Sequence, residues 1–80
     1  MTPVEINAYY RHYKGGLYRI DAIATHSENN KQMVIYTNIE GETWVRPLEM
    51  WNERANDQPR FAIVEEQSAA HFEFEKARIK

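Results

Sequence analysis

The chain has 80 residues, ten Lys/Arg against twelve Asp/Glu for a net charge of −2, and no cysteine. That length makes one domain, residues 1–80, burying only about 60% of the surface its unfolded form exposes, so a second core or a large enclosed substrate cavity is excluded. With 42% hydrophobic and 28% charged residues, the composition is that of a globular protein, not a disordered one.

Without cysteine the fold must rest on burial alone, which suits a reducing compartment. The N-terminus lacks an apolar signal core, and no run approaches the roughly 20 apolar residues that span a bilayer. The expectation is a soluble cytoplasmic protein without membrane contact. The net charge draws nothing towards nucleic acid, although a local basic patch still could.

Thr2-Pro3-Val4-Glu5 has the residues of a helix start: a capping Thr, Pro at the first helical position and Glu to complete a capping box. Any such helix ends before Gly15-Gly16. The alternative is a frayed N-terminal arm over residues 1–9. Leu17 to His26 (LYRIDAIATH) alternates like a strand, with Tyr18, Ile20, Ala22, Ala24 and His26 expected inward. Ser27 to Lys31 is a turn, and Gln32 to Asn38 (QMVIYTN) is a β-branched and aromatic second strand that pairs with the first.

Gly41 supplies positive φ before a third strand, Glu42 to Pro47 (ETWVRP). Pro47 must end that strand or lie on an edge. Leu48 to Asn52 is long enough for one helical turn. Glu53 to Pro59 reads as a surface loop and Arg60 to Glu65 (RFAIVE) as a last strand with Phe61 and Ile63 on one face. Beyond it, residues 66–80 form an extension read as a helix capped by Ser68, with Ala69, Phe72 and Ile79 as its apolar stripe and Phe74 and Ala77 on the far side; the alternative is a strand, since Phe72 and Phe74 alternate. Short strands and tight turns at this length predict a mainly β fold. The expected form is a small, partly open antiparallel barrel, with a β-roll core over residues 10–65, short helical segments and a C-terminal helix.

The segments YRHYKGGLY (Tyr10–Tyr18), THSE (Thr25–Glu28), VIY (Val34–Tyr36), WVRPLEM (Trp44–Met50) and PRF (Pro59–Phe61) together resemble an uncharacterised family of short bacterial domains of unknown function. The resemblance implies an SH3-like β-roll and no activity, and it brings no functional residues with it. The chain departs from the pattern in a shorter Thr37–Thr43 connection and in Trp51, where a phenylalanine is typical. Everything after Phe61 lies outside it.

Little in the chain carries reaction chemistry. His12, His26 and His71 lack metal-ligand spacing, so no metal and no cofactor are expected. His26 is better read as a partly buried ring bonded to backbone at a strand end. Ser27 beside His26 does not make a dyad, because neighbours on a strand point to opposite faces. The Glu40/Glu42, Glu65/Glu66 and Glu73/Glu75 pairs fall at turns and solvated ends. Lys14-Gly15-Gly16 has neither the spacing nor the helix of a phosphate loop.

A basic–aromatic cluster remains. Arg11, Lys14, Arg19 and Arg46 stand among Tyr10, Tyr13, Tyr36, Trp44 and Trp51. Its candidate binding residues are Arg11, Tyr13, Lys14, Tyr36, Trp44 and Arg46, with Arg11, Tyr13, Lys14 and Arg46 expected on one surface. Aromatic walls beside cations suit a peptide groove and also single-stranded nucleic acid. The plainer alternative is that the aromatics, including half-buried Trp44 and Trp51, are core, with Arg11 and Arg46 bonding carboxylates and carbonyls. The reading is a non-enzymatic protein- or peptide-binding adaptor, monomeric or a weak homodimer. A nucleic-acid-associated module comes second, and a small enzyme or ligand sensor last.

Overall fold

Three consecutive hairpins build the sheet, and each turns on a residue with positive φ. In the computed structural model, which describes residues 4–78, β1 (Tyr9–His12) runs into β2 (Leu17–Thr25) through Gly15 at φ +105°. β2 runs into β3 (Gln32–Asn38) through Asn30 at φ +60°, and β3 into β4 (Thr43–Pro47) through Gly41 at φ +87°. Glycine pays no Cβ penalty there, and asparagine tolerates the region better than most residues. The first and third turns share one construction. The strand-end residue (His12 or Asn38) accepts from the glycine N–H and donates to the carbonyl of the residue after it. This is a three-residue hairpin loop that ends in a left-handed residue.

After β4 come the single helical turn α1 (Leu48–Trp51), the two-residue strands β5 (Arg54–Ala55) and β6 (Gln58–Pro59), β7 (Phe61–Ile63) and α2 (Gln67–Arg78). β7 returns antiparallel beside β1, which makes an open five-stranded sheet in the order β4-β3-β2-β1-β7. The expected mainly β roll with a C-terminal helix is the fold observed. The stretch read as a loop before β7 contains a small ribbon instead. Asn56 and Asp57 both take positive φ between β5 and β6, as a two-residue hairpin loop with the strand twist requires.

Side-chain distances show how strongly the sheet curls. β4 and β7 are four strands apart, about 19 Å in a flat sheet, yet the Arg46 guanidinium lies 5.7 Å from the centre of the Phe61 ring. The inner face encloses Ala8, Tyr10, Ile20, Val34, Tyr36, Trp51 and Phe61. On the outer face, α2 lays Ala70 and Phe74 against Tyr9 and Leu17.

Several expectations are overturned. Among the described residues no helix precedes Gly15-Gly16: Tyr9–His12 is a strand, paired with β2 on one side and β7 on the other. Aromatic-rich YYRH gains more from two ladders than from a costly short helix nucleus. Thr2 and Pro3 lie outside the described residues. Within β2 the register shifts between Ile20 and Ala22, so that Ile23 now stands opposite Val34. A bulge reverses the alternation, so Ile23 shares the inner face and Ala22 and Ala24 do not. His26 falls just past the end of β2, outside the alternation expected to turn it inward, but it is partly buried and its Nδ1 accepts the Glu28 N–H.

The two tryptophans separate. Trp51 is 1% exposed in the core, whereas Trp44 is 51% exposed on the sheet edge. In α2 the buried stripe is Ala70 and Phe74, one turn apart, and Phe72 is 69% exposed. Ala70 rather than Ala69 meets the sheet, and a helix must present residues three or four apart to one neighbour. Ile79 lies outside the described residues. The helix begins at Gln67, so Ser68 sits in its first turn. Gln67 instead clamps the strand: its Oε1 accepts the Tyr9 N–H at 2.7 Å and its Nε2 donates to the carbonyls of Tyr9 and Val64.

Paired alanine substitutions test this division. Trp51→Ala and Phe74→Ala are each expected to cost about 3–5 kcal/mol in urea unfolding. Trp44→Ala and Phe72→Ala should stay within about 1 kcal/mol of the parent. A large loss at Trp44 with a small one at Trp51 would reverse the assignment of core and edge.

Candidate binding face

Alternation along the strands decides what gathers at the open mouth of the roll. His12 stands opposite Phe61, Tyr10 opposite Tyr18, Tyr36 opposite Trp44 and Val34 opposite Arg46. Residues paired across a ladder share a face, so these side chains all belong to the inner one. They form a continuous run of rings. His12 lies 4.6 Å from Tyr13 and 4.9 Å from Phe61, between ring centres. Tyr18 meets Phe61 and Tyr36 edge-on at 5.7 and 5.4 Å. Gly16 belongs to this arrangement, because a Cβ there would come within 3.1 Å of the Tyr18 ring.

Cations border the rings. Arg46 sits over Phe61, and the Lys14 ammonium lies 5.8 Å from the centre of Tyr13. The Arg60 carbonyl accepts the Tyr13 N–H at 2.9 Å. The Arg60 Nε is buried with no hydrogen-bond partner among the described residues, and its Nη2 is 3.9 Å from a Glu53 carboxylate oxygen. These charges converge on His12. Burial first, then the fields of Arg60, Lys14 and Arg46, hold its pKa below the ordinary 6.5. The Lys14 N–H, donating to His12 Nδ1 at 3.1 Å, favours the same neutral ring. Burial, then Tyr36, raises Tyr18 above the ordinary 10.0.

Of the residues singled out from the sequence, Tyr13, Lys14, Trp44 and Arg46 border this mouth. Tyr36 lies beneath them, 8% exposed, as core. Arg11 belongs elsewhere. Alternation puts it with Tyr9 on the outer face, where it donates to the Gly15 carbonyl and pairs with Glu73 of α2 at 2.9 Å. Both members of that pair are substantially exposed, so it contributes at most about 1 kcal/mol. His12, Tyr18, Phe61 and Arg60 were not singled out. Period-2 alternation through Tyr10 and His12 would have indicated His12, had Tyr9–His12 been read as a strand. A cleft of about 600 Å³ shares Phe61 with the mouth and is walled by Tyr10, Trp51 and Ile63, with Glu5 and Arg54 beside them.

The fold is a mainly β roll around an open five-stranded antiparallel sheet, with a C-terminal helix on its outer face. The chain belongs to DUF1653, a protein family of unknown function, whose model matches residues 8–63. It is similar to the crystal structure of a DUF1653 protein from Bordetella bronchiseptica. The two are 34% identical, with a TM-score of 0.67, over 75% of this chain and 87% of that one. No curated protein matches. The resemblance carried by YRHYKGG and WVRPLEM is confirmed, and the family match ends at the last residue of β7, before α2.

The depressed His12 pKa makes stability depend on pH. Between its folded value and 6.5, only the unfolded chain takes up the proton. Its contribution is therefore whole above about pH 6.5 and is lost as pH falls towards the folded value. Melting temperature should fall from about pH 7.5 to about 5.5, and His12→Gln should flatten that slope. An unchanged slope in the variant would mean that His12 does not carry it.

Proposed function

We propose that this domain is a non-enzymatic binding module of the bacterial cytoplasm, holding an acidic segment of a partner protein across the mouth of the roll. One observation carries the reading: Arg46, Lys14 and Arg60 gather around a run of aromatic rings on one face, in a chain whose net charge is −2. A local cationic rim on an acidic protein favours an anionic partner at that spot. Rings beside it supply apolar contact area at small entropic cost. Trp44 supplies the outer wall. His12 is poorly suited to general-base work through Nδ1, because that atom is occupied by the Lys14 N–H. No helix among the described residues is long and apolar enough to cross a membrane.

The test is titration of the purified domain, followed by tryptophan fluorescence, with an acidic peptide library, a charge-neutral library of matched length and a single-stranded oligonucleotide. The acidic library should bind best. Arg46→Ala with Lys14→Ala should weaken it at least about tenfold, a loss of about 1.4 kcal/mol, with the melting temperature little changed. Preference for the oligonucleotide, with steep salt dependence, would replace this reading by the nucleic-acid one. Equal binding of acidic and neutral peptides would remove the role given to the cations.

A further inference from the structure

The outer side of β4 pairs with nothing among the described residues, since β4 ends the sheet. Its ladder with β3 shows which groups it offers. Asn38 N–H donates to the Glu42 carbonyl at 3.0 Å, so Glu42, Trp44 and Arg46 direct their backbone groups towards β3. Antiparallel alternation then turns the N–H and C=O of Thr43 and Val45 outward. Val45 is 60% exposed and Trp44 51%. An apolar edge open on both faces is what soluble proteins normally blunt.

The residues along this edge are Glu42-Thr43-Trp44-Val45-Arg46, and read antiparallel against themselves they are complementary. With Trp44 opposite Trp44 of a second copy, Thr43 stands opposite Val45, and both outward residues of each copy exchange N–H and C=O. Glu42 then stands opposite Arg46 at either end, in the non-hydrogen-bonded positions where side chains come closest. Sliding the pairing to centre on Val45 sets Thr43 against Pro47, which has no N–H to return, and separates the opposite charges. Pro47, at the end of β4, therefore favours the Trp44-centred register.

We propose that two copies of this chain associate through β4, antiparallel about a two-fold axis at Trp44, and join their sheets edge to edge. The occupant is a second copy because the charge pattern of this edge complements its own reversal: a carboxylate at one end, a guanidinium at the other and an aromatic ring at the centre. The Glu42 carboxylate already accepts from the Asn38 side-chain amide at 3.0 Å, which steadies it on the edge. The edge shares Arg46, which lies over Phe61, and Trp44 with the mouth, but the pairing is argued from the edge alone and does not rest on the mouth holding a ligand.

A single short strand pair buries less than the roughly 1,200–2,000 Å² of a stable interface, so association should be weak and is measured up to about 1 mM protein. Sedimentation equilibrium of the full chain should show a monomer–dimer equilibrium. Arg46→Glu alone and Glu42→Arg alone should each weaken it at least about tenfold. The double exchange, Glu42→Arg with Arg46→Glu, should restore it towards the parent value. Val45→Pro, which removes an outward N–H and no β3 bond, should abolish it while the melting temperature is kept. A parent chain monomeric over the whole range overturns the proposal. So does a double exchange as weak as either single variant, or a Val45→Pro variant that still dimerises. A failure of peptide binding at the mouth leaves all of these readouts unchanged.

Discussion

The stacked pair of Trp51 and Phe61 holds the roll together. Their ring centres lie 3.8 Å apart with planes only 4° from parallel. Trp51 comes from α1, which continues from the edge strand β4, and Phe61 from β7, the strand at the opposite edge. The contact thus ties the two ends of the sheet across an interior that no backbone ladder closes. Tyr10 and Tyr36 meet Trp51 edge-on at 5.6 and 4.9 Å, and such pairs contribute about 0.5–1.5 kcal/mol each beyond their buried area. An 80-residue chain without a disulfide needs this density of aromatic contact, because its core is small.

The same curl produces the candidate site. A flat sheet would hold Arg46 and Phe61 far apart, and the mouth would not exist. Curled, the roll brings a cation from one edge over a ring from the other. The β1–β2 hairpin adds Tyr13 and Lys14 beside His12. The positive charge sensed by His12 is therefore largely a product of the fold: Lys14 lies two residues away, but Arg46 and Arg60 come from segments distant in sequence.

The outer face follows a different logic. α2 covers β1 and β2, and Arg19 is held there between Asp21 at 3.0 Å and the Phe74 ring at 5.1 Å. Thr37 donates to the other oxygen of Asp21 and lies 3.0 Å from the Thr43 hydroxyl, so a polar chain links β2, β3 and β4 beside the helix. Tyr9 OH meets His71 Nδ1 at 2.6 Å, and Gln67 holds the backbone of Tyr9. α2, which lies beyond the family match, is fastened by polar contacts as much as by Ala70 and Phe74. β4 lies beyond its reach, and Val45 stays 60% exposed.

Local chemistry determined much of this in advance. The β2–β3 hairpin, the glycine turns at Gly15 and Gly41, the strand end at Pro47 and the single turn of α1 each follow from residues within a few positions of one another. Part of the mouth was legible for the same reason, since Tyr13-Lys14 and Trp44-Val45-Arg46 are short, distinctive runs, whereas His12, Tyr18, Phe61 and Arg60 were not. Tertiary structure alone decided the rest. YYRH became a strand because β2 and β7 both offered it a ladder. The bulge at Ile20–Ala22 moved Ile23 to the core side. Trp51 rather than Trp44 found Phe61, and Phe74 rather than Phe72 found Tyr9. Arg11 went to Glu73 while Arg46 went to the mouth. For the tryptophans and the phenylalanines, two similar residues competed for one buried position. The choice depended on which face a distant segment covered, a long-range constraint that no local pattern in the chain encodes.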